Sequence, residues 1–75
     1  MLIEFYGITQ DIAGCDSMEW LAPADTEVLM RQLKKQYPAI EELPIIFAVN
    51  NQIVSKNTPL KASDNVAVMP PFSGG

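Results

Sequence analysis

The chain has 75 residues, of which 48% are hydrophobic, and a formal net charge of −4. This length allows one domain with one modest core, because a domain this small buries only about 60% of the surface its unfolded chain exposes. The acidic balance argues against nucleic acid, whose phosphates reward a basic surface. There is no histidine and only one cysteine, Cys15, which removes the usual neutral-pH general base, any zinc site and any internal disulfide.

No apolar run nears the roughly 20 residues that span a bilayer. Met1-Leu2-Ile3-Glu4 lacks the basic start and long apolar stretch of a signal peptide. The expectation is a cytoplasmic protein that meets neither membrane nor nucleic acid and holds no metal.

Leu2 to Tyr6 reads as a strand, with Ile3 and Phe5 on one face and Leu2, Glu4 and Tyr6 on the other. Gly7 breaks it. Thr9 to Ala13 reads as a short helix that Gly14 ends in the left-handed conformation. Cys15 to Leu21 alternates imperfectly, as an edge strand does, and Ala22-Pro23-Ala24 closes it. The main helix is expected over Thr26 to Gln36, capped by Asp25 or Thr26. Glu27 sits near its positive end and Lys34 and Lys35 near its negative end. Leu29, Leu33 and Tyr37, flanked by Val28 and Met30, form one apolar stripe that packs on a sheet, and Pro38 stops the helix.

Ile40 to Leu43 reads as a short helical turn. Ile45 to Val49 is a continuous run rich in branched residues, which suits a buried strand. Asn50-Asn51 suits a tight hairpin, since Asn tolerates the positive φ required there, and Gln52 to Ser55 is the returning strand. Ser63-Asp64-Asn65 makes another turn, and Val66 to Met69 is the last strand. This order predicts an α+β domain, a mixed sheet with one main helix packed across it. Residues 1–69 form the domain and 70–75 an extended, flexible tail.

The chemistry open to such a chain is limited to carboxylates, hydroxyls, one thiol and a chain end. The Asp and Glu residues show no pairing at a recognisable spacing and read as solvated surface. Cys15 has no histidine to activate it and reads as a small half-buried side chain. The tail is more informative. Pro70-Pro71 cannot continue a sheet ladder and stiffens the exit. Phe72 supplies one bulky anchor, and Ser73-Gly74-Gly75 is slim and flexible. Six extended residues reach roughly 20 Å, enough to thread a narrow channel in another protein.

These residues resemble a known family. The stretch Phe47-Ala48-Val49-Asn50-Asn51-Gln52-Ile53-Val54, then Pro59-Leu60, then Asp64 through Gly75 are similar to the small, sulfur-carrier subunit of molybdopterin synthase. So is the opening, Phe5-Tyr6-Gly7 followed by Asp11-Ile12-Ala13-Gly14. The resemblance is strongest after Phe47 and vague between Cys15 and Glu42. It implies the ubiquitin-like β-grasp fold and a non-catalytic subunit that works through the Gly75 carboxylate. An ATP-dependent activating enzyme would adenylate that carboxylate, and a sulfur donor protein would convert it to a thiocarboxylate. The tail would then enter the large synthase subunit, within a heterotetrameric synthase, and deliver sulfur to a cyclic pterin precursor. ATP serves the activating enzyme, and the chain itself binds no cofactor. A side chain at Gly74 or Gly75 would clash with a close-fitting channel.

If Val66 and Val68 are core, Met69 lies on the open face of the sheet beside the tail, with Tyr6 and Ile53. Two readings of these three residues stand: core, or an apolar patch that docks the partner together with Phe72, Pro70, Pro71, Ser73 and Gly74. Two other functions also stand: a carrier for another sulfur pathway of the thiamine type, and a ubiquitin-like protein modifier. The double proline favours the molybdopterin reading over the thiamine one.

Overall fold

A computed structural model describes residues 1–71. Ile3 and Phe5 alternate with Leu2 and Glu4, and this period of two builds strand β1 (Leu2–Phe5). Four more strands and the main helix complete the sheet and its cover. They are β2 (Ser17–Glu19), helix α2 (Thr26–Gln36), β3 (Ile46–Val49), β4 (Gln52–Val54) and β5 (Asn65–Met69). Helix α1 (Ile8–Ala13) and a 3-10 turn (Pro38–Glu42) complete the chain. The sheet order is β2-β1-β5-β3-β4, with β1 and β5 parallel and the other pairs antiparallel. This is the ubiquitin-like β-grasp, with α2 across one face. No described helix is long and apolar enough to cross a membrane.

The inner face is the core. Ile3, Phe5, Val66 and Val68 from the two central strands meet Leu29 and Leu33 of α2, with Phe47 and Val49 beside them. Burying each such side chain stabilises the fold by about 1.5–3 kcal/mol. Ile40, held by the 3-10 turn, is also fully buried. That turn begins at Pro38, two residues earlier than the sequence pattern suggests. Proline fits a helical start, where its missing N–H would have had no partner anyway.

Helix α2 has the bounds its pattern predicts, and each N–H of its first turn has a partner. Thr26 donates to Thr58 O, Glu27 to Asn57 Oδ1, Val28 to the capping Asp25 Oδ1, and Leu29 to Asp25 O. The remote Asn57–Thr58 loop therefore satisfies two donors that a local cap leaves open. The Asn50-Asn51 hairpin forms as expected, with φ of 50° and 69°.

Some boundaries differ from the sequence expectation. The second strand spans three residues rather than Cys15 to Leu21. Its pairing with β1 runs from Glu4 opposite Ser17 to Leu2 opposite Glu19, and the last bond on that side is Trp20 N–H to Met1 O. Leu21 then stands 92% exposed. The first strand stops at Phe5 rather than Tyr6, and α1 begins one residue early, at Ile8. The strand expected from Ile45 starts at Ile46, and its returning partner ends at Val54, short of Ser55. Asn65 belongs to β5 rather than to a turn, because it lies opposite Leu2.

Candidate functional site

The alternation that buries Val66 and Val68 turns Ala67 and Met69 to the other face of the sheet. The register then assembles that face. Ala67 lies between Glu4 and Ala48, Ala48 lies beside Ile53, and Met69 lies beside Ile46. Tyr6 follows β1 at the same end, where its N–H donates to Val68 O at 3.1 Å. Tyr6 is 47% exposed and Ile53 69% exposed, while Met69 and Ile46 are half-buried. Met69, Tyr6 and Ile53 thus share one open, largely apolar face, and none of them belongs to the core. Single exposed apolar residues are ordinary, but a contiguous set beside one chain exit is not.

Two contributors to this face escaped the sequence pattern. Ile46 reads as core in a continuous apolar run, and only its pairing with Met69 turns it outward. Ala48 has so small a side chain that its neighbours cover it. At the end of β5, Pro70 is half-buried and Pro71 exposed. The expected anchor Phe72 and the expected Ser73, Gly74 and Gly75 lie outside the described residues. Two further residues, Gly7 and Thr9, stand at the base of the exit.

The described residues supply little chemistry of their own. Two surface hollows, of about 670 and 490 Å³, lie beside Trp20 and Leu21 and between α2 and β4. Neither is lined by a cysteine or by two carboxylates. Among the described residues no three His, Cys, Asp or Glu side chains converge to hold a metal ion. The perturbed groups are structural. Asp64 is held below its ordinary value of 3.8 by the Asn50 side-chain amide and the Lys61 N–H. Asp25 is lowered by the Val28 N–H that it caps. Burial pushes the Tyr37 hydroxyl up, where it packs edge-on against Phe5. The described residues thus offer an open apolar face with the chain exit at Pro70 beside it.

Similarity to known proteins agrees with that geometry. The profile of the ThiS family matches residues 3–75. The molybdopterin synthase sulfur carrier subunit of Escherichia coli is 33% identical over 76 residues, covering 95% of this chain and 94% of that one. A structure assigned as molybdopterin converting factor subunit 1 of Pyrococcus furiosus superposes with a TM-score of 0.85 at 26% identity, covering 95% of each chain. Small archaeal modifier protein 1 of Methanosarcina acetivorans superposes with a TM-score of 0.80, covering 99% of this chain and 94% of that one. At 21% identity this last likeness concerns the fold alone.

Proposed function

The chain belongs to the ThiS family, and on that premise we propose that it is the sulfur carrier subunit of a molybdopterin synthase. The observation that carries this reading is the 33% identity to the Escherichia coli subunit along 95% of the chain. The open face of Tyr6, Met69 and Ile53 beside the exit at Pro70 supports it.

The chemistry follows from the weakness of a free carboxylate as an electrophile. A Gly75 carboxylate oxygen attacks the α-phosphate of ATP in an activating enzyme, and pyrophosphate leaves. A sulfur nucleophile then attacks the acyl carbon, and AMP departs with the bond to oxygen. If the nucleophile is a persulfide, a second thiol must cleave the resulting acyl disulfide. The product is a thiocarboxylate whose sulfur passes to a cyclic pterin precursor in the large subunit. Tyr6, Ile53 and Met69 dock the partner with Phe72. Pro70, Pro71, Ser73 and Gly74 line the entering arm, where glycine admits the closest approach. Residues for proton transfer and substrate binding belong to the partner, and the setting is cytoplasmic.

The test is intact-mass analysis after incubation with ATP, the activating enzyme and the sulfur donor. The expected result is the mass gain of one oxygen-to-sulfur exchange, followed by its loss when the large subunit and precursor pterin are added. A ladder of heavier conjugates would instead mark a protein modifier. Sulfur that loads but passes only to a thiazole-building system would mark a carrier of the thiamine type. A Gly75 carboxylate that stays unmodified throughout would sink the proposal.

A further inference from the structure

The segment from Tyr6 to Thr9, at the start of α1, holds the end of β5, and Val68 lies 59 positions beyond Thr9. Thr9 is 0% exposed although it lies in a six-residue surface helix. Its hydroxyl accepts from Tyr6 N–H at 3.0 Å, and its one proton faces two carbonyls, Tyr6 O at 2.6 Å and Val68 O at 3.0 Å. Val68 O also accepts from Tyr6 N–H. A core position of this size needs only an apolar group, and a buried hydroxyl is costly unless bonded. Here it is bonded to the last inward residue of β5.

Gly7 makes the second contact. Its φ of 60° and ψ of −136° form a combination that only glycine adopts freely. That conformation brings its backbone against the Pro70 ring, so closely that a Cβ on Gly7 would sit 3.2 Å from Pro70 Cγ and 3.4 Å from Cδ. Pro70 has no N–H with which to tie itself to a neighbouring strand. β3 holds the other edge of β5 as far as Met69, and on the β1 side the bonds to Val68 O and the packing of Pro70 against Gly7 fix where the chain turns past Met69.

We infer that Thr9 and Gly7 are positioning residues that set the angle at which the chain beyond β5 leaves the open sheet face. The Pro70-Pro71 pair, stiffened by its rings, spans roughly 6 Å. A tilt of about 15° at its base moves the far side of Pro71 by about 1.5 Å, and misplacement of about 1 Å at a reacting group can cost about a hundredfold in rate. A partner that binds the face of Tyr6, Ile46 and Met69 thus receives the chain at Pro71 from a fixed angle. The consequence for sulfur transfer rests on the proposed function, whereas the contact itself does not.

The experiment therefore has two arms. In the free protein, the NOE between Gly7 Hα and the Pro70 ring protons should be strong in the wild type and in Thr9→Ser. It should weaken at least threefold in Thr9→Val. Equal NOEs in all three would overturn the inference whatever the protein does. In the second arm, thiocarboxylated protein meets saturating large subunit from the same organism and the precursor pterin, in single turnover below the unfolding transition. Thr9→Val should slow transfer at saturation at least fivefold while the half-saturating concentration stays within twofold, and Thr9→Ser should restore the rate. Gly7→Ala, which sets a Cβ against the Pro70 ring and strains the backbone at φ 60°, should give the same split and serves as the second variant if Thr9→Val does not fold. Folded variants that transfer at the wild-type rate, or lose rate only in step with affinity, would overturn the inference. A wild type that transfers no sulfur counts against the proposed function, and the NOE arm then decides the contact alone.

Discussion

The two faces of one sheet carry similar residues under opposite conditions. The inner face holds Ile3, Phe5, Val66 and Val68, each sealed by α2 and its neighbours. The outer face holds Tyr6, Ile46, Ile53 and Met69, which no element of the described chain covers. Tyr6 and Met69 directly follow the inward Phe5 and Val68, and Ile46 and Ile53 directly precede the inward-facing Phe47 and Val54 of β3 and β4. Hydrophobic character alone therefore does not say which face holds the fold together. On the inner face apolar area is removed from water by folding, and on the outer face it remains available for a partner to remove.

The sharpest way to break this contrast is to truncate one side chain on each face. Leu33→Ala, beneath the sheet, should destabilise the protein by about 2–5 kcal/mol. That is a large share of the roughly 4–11 kcal/mol expected for a domain of this size. Urea unfolding measures it, and a loss below about 1 kcal/mol would mean that α2 does not seal the core. Ile53→Asp, on the outer face, should change stability by no more than about 0.5 kcal/mol. It should weaken binding of the large subunit by about 2 kcal/mol, or roughly 30-fold, in calorimetric titration. Unchanged affinity would remove Ile53 from the docking surface. Loss of stability in step with affinity would mean that the outer face belongs to the core after all.

The smallest effect concerns a site that belongs to neither face. Asn50 Nδ2 donates to Asp64 Oδ1, Asn50 Oδ1 accepts from Asn65 N–H, and Lys61 N–H donates to Asp64 Oδ2. These bonds favour the ionised Asp64, whose folded value lies below the ordinary 3.8. Its contribution is complete well above 3.8 and is lost as pH falls towards the folded value. Asn50→Ala should therefore raise the Asp64 value and flatten the acid limb of the stability curve. NMR titration of the Asp64 carboxyl checks the first part and thermal unfolding across the acid range checks the second. An unshifted Asp64 would transfer the effect to Lys61 N–H.

Much of the fold was legible because its signals are local. The bounds of α2 follow from Asp25, the Leu29 and Leu33 stripe and Pro38, all within one stretch of chain. The hairpin follows from two adjacent asparagines, and Gly14 at φ 76° closes α1 as its position suggests. The open face was half legible. Met69, Tyr6 and Ile53 could be placed on it by counting alternate residues, but Ile46 could not, because its run is apolar at every position.

By itself, then, the sequence determined the elements, the inward valines of β5 and the family, since each rests on neighbouring residues or on a string of them. Only the tertiary structure decided what meets across long separations. It pairs β1 with β5, sends Asn57 to the N-terminus of α2, and brings Thr9 and Gly7 to Val68 and Pro70. Such contacts depend on register and packing, in which a slip of one residue exchanges the faces of a strand, and no local pattern of residues records them.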